Sequence, residues 1–275
     1  MTISALPGPA VPGESASPPD VSIRVQDLHF TYGNAEVIHG LTFSVRRGEV
    51  TGLLGPNGAG KSTTLRVLIG ILEASRGSVE VEGFSLPEHA FEVKQRIGYV
   101  PESAELYDTL TAQEFLELAG RLHDLDEDLL QDRIEAMLDG LGLLDERLQR
   151  LNTYSKGMRQ KVLLASALLH DPAVVVLDEP LSGLDADTAV LVKRLLSVLA
   201  AKGRTVLYSS HVLEVVERVC ARVLILDHGK LIADGSPADL MTSTHEHTLE
   251  DVFRRVTQAD DVEPRVDRIL GGLRR

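Results

Sequence analysis

The sequence predicts an α/β fold organised on a parallel sheet, and three observations carry that expectation. Ala173-Val174-Val175-Val176-Leu177 is an unbroken apolar run bounded by Pro172 and Asp178, the pattern of a strand covered on both faces. Beyond it, helical and strand patterns alternate as far as Asp227. Earlier, Glu49-Val50-Thr51-Gly52-Leu53-Leu54 reads as a buried strand that runs through a glycine-rich loop into the apolar helix Thr64-Leu65-Arg66-Val67-Leu68-Ile69.

Taken in order, residues 21–30 alternate with Val21, Ile23 and Val25 on one side, as a half-buried strand does. Tyr32 and Gly33 are expected in a turn. Residues 41–45 read as a second strand, turning at Arg46-Arg47-Gly48 into the buried strand before the loop. Residues 78–83 alternate as a short edge strand would, and residues 87–96 as a helix with Pro87 early, where its missing N–H costs little. Residues 97–100 form a strand ending at Pro101-Glu102.

Between Thr111 and Arg150 the strand pattern disappears. Thr111-Ala112-Gln113-Glu114 reads as a capping box, followed at helical spacing by Phe115, Leu118, Ala119 and Leu122. A second amphipathic helix carries Leu130, Ile134, Met137, Leu138 and Leu141. The acids of this stretch read as solvated surface. After the run at 173–177 come a helix over 186–201, a strand over 205–208, a helix over 212–220 and a strand over 222–227. Gly229 turns the chain into Lys230-Leu231-Ile232-Ala233, and an amphipathic tail carries Leu249, Val252, Phe253 and Val256.

Composition bounds the function. A chain of 275 residues holds one large domain or two modest ones. A net charge of -13 and a pI near 5.1 argue against a nucleic-acid surface, which is normally basic. A single cysteine, Cys220, excludes an intramolecular disulfide, and Val219, Val223 and Leu224 around it suggest a packed thiol. Residues 1–20, rich in Pro, Ala, Gly and Ser, read as a disordered leader rather than a secretory signal. No run of about 18 apolar residues occurs, the length a membrane-spanning helix needs. A soluble, cytosolic chain is expected.

The loop Gly55-Pro56-Asn57-Gly58-Ala59-Gly60-Lys61-Ser62-Thr63 fits G-x-x-x-x-G-K-[ST], which wraps the phosphates of a nucleoside triphosphate. Its glycines let the backbone approach the phosphates, and successive N–H groups with a helix N-terminus make an anion nest. Lys61 would reach the β- and γ-phosphates, and the Ser62 hydroxyl would ligate Mg²⁺. Asp178 and Glu179 end a buried strand, the place where open α/β sheets bind ligands. Asp178 would hold Mg²⁺, and Glu179 could take a proton from the attacking water. Tyr32 could stack on adenine or serve as a satellite core aromatic. The implied cofactors are ATP and Mg²⁺.

The run Tyr154-Ser155-Lys156-Gly157-Met158-Arg159-Gln160-Lys161 resembles the signature of ABC-type ATPases, usually written Leu-Ser-Gly-Gly-Gln. Ser182-Gly183-Leu184-Asp185 is similar to that family's D-loop, Ser209-Ser210-His211 to its switch histidine, and Tyr32 falls where its adenine-stacking aromatic sits. The resemblance, from about residue 21 to 237, implies a P-loop NTPase (RecA-like) core with an antiparallel β edge subdomain and an inserted α-helical subdomain at about 103–157. It places the ATP-binding domain at 21–240 and a short helical tail at 241–275. It also implies a dimer, homomeric or with a paralogue, in which Ser155 and Gly157 touch ATP held by the partner chain. Asp185 joins that nucleotide site, and His211 would contact the γ-phosphate and orient water.

Tyr154, Lys156 and Met158 stand where the family has Leu, Gly and Gln. Glu102 stands where most members have a glutamine near Mg²⁺ and the membrane partner, so its own place as a metal ligand is the weakest of the set. Residues 100–102, 106–111 and 248–253 resemble ATPases of the ABC-2 exporter group. The implied function is an ATP-hydrolysing subunit that powers an exporter from the inner face of the cell membrane through an integral membrane permease, without nucleic acid. A translation or DNA-maintenance ATPase, a weakly hydrolysing regulatory module and an importer subunit are the alternatives.

Overall fold

Alternating and β-branched segments form two sheets in the computed structural model, which describes residues 20–103, 106–181 and 183–257. Strand β1 (Val21–Tyr32) and β2 (Ala35–Arg46) are an antiparallel hairpin turned at Gly33-Asn34. Tyr32 therefore ends a strand rather than entering the turn. The second strand also starts six residues before Leu41, because pairing to β1 holds Ala35 to Gly40, whose pattern alone does not alternate.

Strand β3 (Val50–Leu54) is buried throughout and feeds the glycine loop and helix α1 (Lys61–Leu68). Next come β4 (Arg76–Val81), β5 (Phe84–Leu86), helix α2 (Ala90–Arg96) and β6 (Ile97–Val100). The first sheet has the order β2-β1-β4-β5, so β4 is an inner strand and β5 the edge, correcting the expectation for residues 78–83. Pro87 precedes α2 instead of lying in its first turn.

Helices α3 (Ala112–Leu122) and α4 (Glu127–Gly140) form the insert and pack on α5 (Lys156–Leu168). The capping box at Thr111 is formed in both directions. The buried face of α3, however, is Ala112, Leu116 and Gly120, while Leu118 and Leu122 face outward. Phe115 and Ala119 pack only partly, so the core stripe lies beside the one read from spacing.

The second sheet is completed by β7 (Val174–Asp178), helix α6 (Ala186–Ala201), β8 (Thr205–Ser209), helix α7 (Leu213–Val219), β9 (Arg222–Asp227) and β10 (Lys230–Gly235). Its order is β10-β9-β3-β8-β7-β6, with β9, β3, β8, β7 and β6 mutually parallel and β10 an antiparallel edge. One core lies between the two sheets around α1, and a second lies under α6 and α7. Helices α8 (Pro237–Thr244) and α9 (Leu249–Val256) close the described chain, with Leu249 and Val252 buried in the second core. The leader at 1–19 and the tail at 258–275 lie outside the described residues. Among the described residues, no helix is long and apolar enough to cross a membrane. Cys220 is packed as expected, and burial pushes its thiol up to about 12.

The insert meets the core at a stacked imidazole pair. The rings of His123, at the end of α3, and His170, just after α5, lie 3.7 Å apart and 7° from parallel. His123 Nδ1 bonds Gln95 Oε1 of α2 at 3.0 Å, and His170 Nε2 bonds the Ile97 carbonyl at 3.2 Å. Burial lowers both pKa values, that of His170 to about 4, with Arg133 adding to the effect and Asp124 and Asp171 opposing it. An unfolded histidine binds more protons than these between its usual pKa of 6.5 and about 4. Stability is therefore complete above that window and falls as pH drops through it. In urea titrations at pH 7 and pH 5, the midpoint should drop at the lower pH, and His170→Phe should flatten that drop.

Candidate active site

The parallel strands deliver their carboxyl ends to one place. The loop after β3 wraps into α1, whose N-cap Gly60 sits at φ +99, a left-handed conformation that favours glycine. Among the described residues no side chain caps this terminus, and its first turn holds no acid. Its backbone N–H groups and positive dipole end thus face the cavity, as anion binding requires. Lys61 Nζ donates to the carbonyls of Gly55 (2.7 Å) and Pro56 (3.1 Å). Burial lowers the Lys61 pKa, and the charges of Glu179, Asp178 and Glu102 oppose that shift.

A cavity of about 520 Å³ opens over this loop, lined by Val37, Asn57, Gly58, Ala59, Gly60, Lys61, Ser62, Thr63, Glu102, Asp178, Glu179 and His211. The residues expected to bind phosphate and metal and to activate water are thereby brought together. Gly55 lies beneath the loop, where a Cβ would come within 2.4 Å of the Leu226 carbonyl. The oxygen donors Ser62, Asp178 and Glu102 share the cavity, a hard set that suits Mg²⁺ with phosphate and water completing its shell. Among the described residues, no three His, Cys, Asp or Glu side chains form a metal cage by themselves. The ion would therefore be held jointly by protein and triphosphate.

Sequence reading named Ser209 only as part of the run before His211 and missed Tyr99, and both lie beside Asp178. Ser209, paired with Asp178 across β7 and β8, donates its hydroxyl to Asp178 Oδ1 at 2.5 Å. Tyr99 on β6 is pushed up to about 12 by burial, with the Asp178 charge adding to it. Only strand order places them there, so neither carries a local signal. Glu179 adopts φ +50, an uncommon conformation for a residue with a side chain, and its N–H donates to the Ser209 carbonyl at 3.2 Å. Its Oε2 lies 2.8 Å from Nδ1 of the largely exposed His211.

The remaining predicted residues do not line the cavity. Tyr32 packs edge-on against Phe30, centroids 4.7 Å apart, and stays 45% exposed. Ser155 caps α5, accepting from the Met158 N–H at 3.2 Å. Gly157 abuts Gly183. Asp185 caps α6 through the Thr188 N–H and hydroxyl, both at 2.8 Å, and these bonds hold its carboxyl down to about 2. Ser182 lies outside the described residues.

Comparison with known proteins agrees with this geometry. Residues 38–182 match the family described as ABC transporter. An uncharacterized ABC transporter ATP-binding protein of Synechocystis is 43% identical over 208 residues, 75% of this chain and 58% of that protein. The chain thus spans less than two thirds of that relative's length. The Nod factor export ATP-binding protein I of Ralstonia nicotianae is 38% identical over 234 residues, 85% of this chain and 72% of the relative. The solved structure of an ATP-binding subunit of an ABC transporter superposes with a TM-score of 0.82 at 33% identity, covering 86% of this chain and 99% of the other.

Removing the Lys61 ammonium should leave the nest without its mobile cation. Lys61→Ala is expected to weaken binding of a fluorescent ATP analogue by about 100-fold or more, since it deletes a charge-assisted phosphate contact. Equilibrium titration reads this directly.

Proposed function

This chain belongs to the ABC transporter ATP-binding family, and from that premise we propose that it hydrolyses ATP to drive an exporter. The observation that carries the reading is the cavity in which Lys61, Asp178, Glu179 and His211 meet over an uncapped helix terminus. The loop binds the triphosphate, with Lys61 on its β- and γ-phosphates. Ser62 and Asp178, with Glu102 beside them, would hold Mg²⁺, which would neutralise charge on the phosphate oxygens.

Hydrolysis needs a water aligned with the γ-phosphorus. Glu179 takes the water's proton as the oxygen–phosphorus bond forms, and the bond to the bridging oxygen breaks to leave ADP and phosphate. His211, 2.8 Å from Glu179, keeps that carboxylate aimed and faces the γ-phosphate. Ser155 and Gly157 of a second copy or a paralogue close over the nucleotide, and Asp185 joins that interface. Tyr32 offers its exposed ring to adenine. Closure is driven by ATP because ATP binds the closed state more tightly. The insert and the Glu102 loop pass the motion to an integral membrane permease, which places the chain on the inner face of the cell membrane. The Nod factor export relative supports the direction of transport.

Glu179→Gln removes the base and preserves the shape of the side chain. ATP binding should persist, turnover should fall about 100-fold or more, and an ATP-bound dimer should accumulate in size-exclusion chromatography. Undiminished phosphate release would remove Glu179 from its role. Affinity purification of the tagged chain from detergent-solubilised membranes should also bring down a protein with several spanning helices. Recovery of ribosomal or DNA-bound factors instead would overturn the transport assignment.

A further inference from the structure

The turn between β9 and β10 meets both the phosphate loop and β2 at one residue. Gly229 donates its N–H to the Ala59 carbonyl at 3.1 Å, and its own carbonyl accepts from the His39 N–H at 2.9 Å. It is buried and sits at φ +71. A Cβ there would collide with the Val37 carbonyl and stand 2.7 Å from Cδ2 of His39. The Gly229 Cα in turn lies 3.8 Å from where a Cβ on Gly60 would be. Three stretches of backbone thus converge where no side chain fits. Gly229 is not among the residues that line the cavity, so it lies behind the loop.

The peptide joining Ala59 to Gly60 is trans, so its C=O and N–H point in opposite directions. Anchoring the carbonyl on Gly229, behind the loop, turns the Gly60 N–H toward the cavity. Gly60 is the N-cap of α1, so its N–H joins those of the first helical turn in facing an anion. We propose that Gly229 is a positioning residue for the triphosphate: it locks the Ala59–Gly60 peptide with its N–H toward the phosphates and fixes that peptide to β2. This rests on the nucleotide-binding reading of the loop given above. Val37 of β2 lines the same cavity, so one residue holds the loop and the wall beside it in register. Phosphate and Gly229 then act on the two ends of a single peptide. A phosphate on the N–H polarises the peptide and strengthens the bond at its carbonyl. Nucleotide binding is therefore felt at the β9–β10 turn, outside the cavity.

Two glycine variants of the full chain separate position from strain. Gly229→Ala puts a Cβ against Val37 and His39. Gly203→Ala puts one at φ +84 in an exposed turn, where it meets no atom of the described residues within 4 Å, so it carries the left-handed cost alone. Urea titration should show a lowered midpoint for both. Only Gly229→Ala should weaken binding of a non-hydrolysable fluorescent ATP analogue, by about 10-fold or more, the worth of one hydrogen bond to a charged group. Without nucleotide, amide exchange across residues 57–64 should accelerate in Gly229→Ala and keep the wild-type rate in Gly203→Ala. In the wild-type chain, the analogue with Mg²⁺ should slow exchange of the Gly229 amide more than that of Gly203, a readout that needs no variant to fold. Equal affinities of the two variants, unchanged exchange over 57–64 in Gly229→Ala, or no selective slowing at Gly229 would each overturn the proposal. A wild-type chain that binds no analogue would overturn the nucleotide reading instead, and exchange over 57–64 would still decide the anchoring by Gly229.

Discussion

Three carboxylates face one ammonium across the cavity, and this imbalance of charge conditions everything around it. Asp178, Glu179 and Glu102 all act on Lys61, and Lys61 meanwhile rests on two carbonyls of its own loop. A triphosphate entering alone would add like charge to the acidic side. Backbone N–H groups and a helix dipole would meet the phosphates, and a divalent cation carried with them would offset the acids. The protein therefore supplies positive potential mostly from fixed dipoles, which need no reorganisation, and leaves the mobile charge to the ligand. An acidic chain can bind a polyanion on these terms.

The same constraint explains why the scaffold is a parallel sheet. Strands β3 and β7 point their carboxyl ends the same way with β8 between them, so the phosphate loop and the Asp178-Glu179 pair open onto one cavity. Hydrogen bonds between neighbouring strands then fix positions that side-chain packing could not fix as tightly. Ser209 holds Asp178 because the two are register partners, and the Ser209 carbonyl also receives the Glu179 N–H. One short strand end orients both carboxylates.

Chemistry encoded in contiguous residues is legible in the amino-acid sequence alone. The phosphate loop, the apolar β7 with its terminal acids, and the capping box at Thr111 each carry their whole signal within a few positions. What depends on partners elsewhere in the chain is not legible there. Residues 35–40 look irregular until β1 pairs with them, and β4 looks like an edge until β5 is seen to cover it. The stripe on α3 shifts because Gly120, apolar only by lacking a side chain, admits Leu130 at close range, while Leu118 and Leu122 stay exposed. Ser209 and Tyr99 belong to the same class, since strand order alone makes them neighbours of Asp178.

The packing of Cys220 has a consequence of another kind. Its sulfur lies 3.2 Å from where a Cβ on Gly52 of β3 would stand, and its thiol stays protonated near neutrality. Thiol reagents attack the thiolate and need access, and the folded chain denies both. Cys220 is the sole cysteine, so alkylation marks molecules in which its packing against β3 has opened, locally or with the whole fold. The rate of labelling counts openings of the helix that follows His211. The fold thus contains its own chemical stopwatch for the switch segment, readable by mass spectrometry without an added probe.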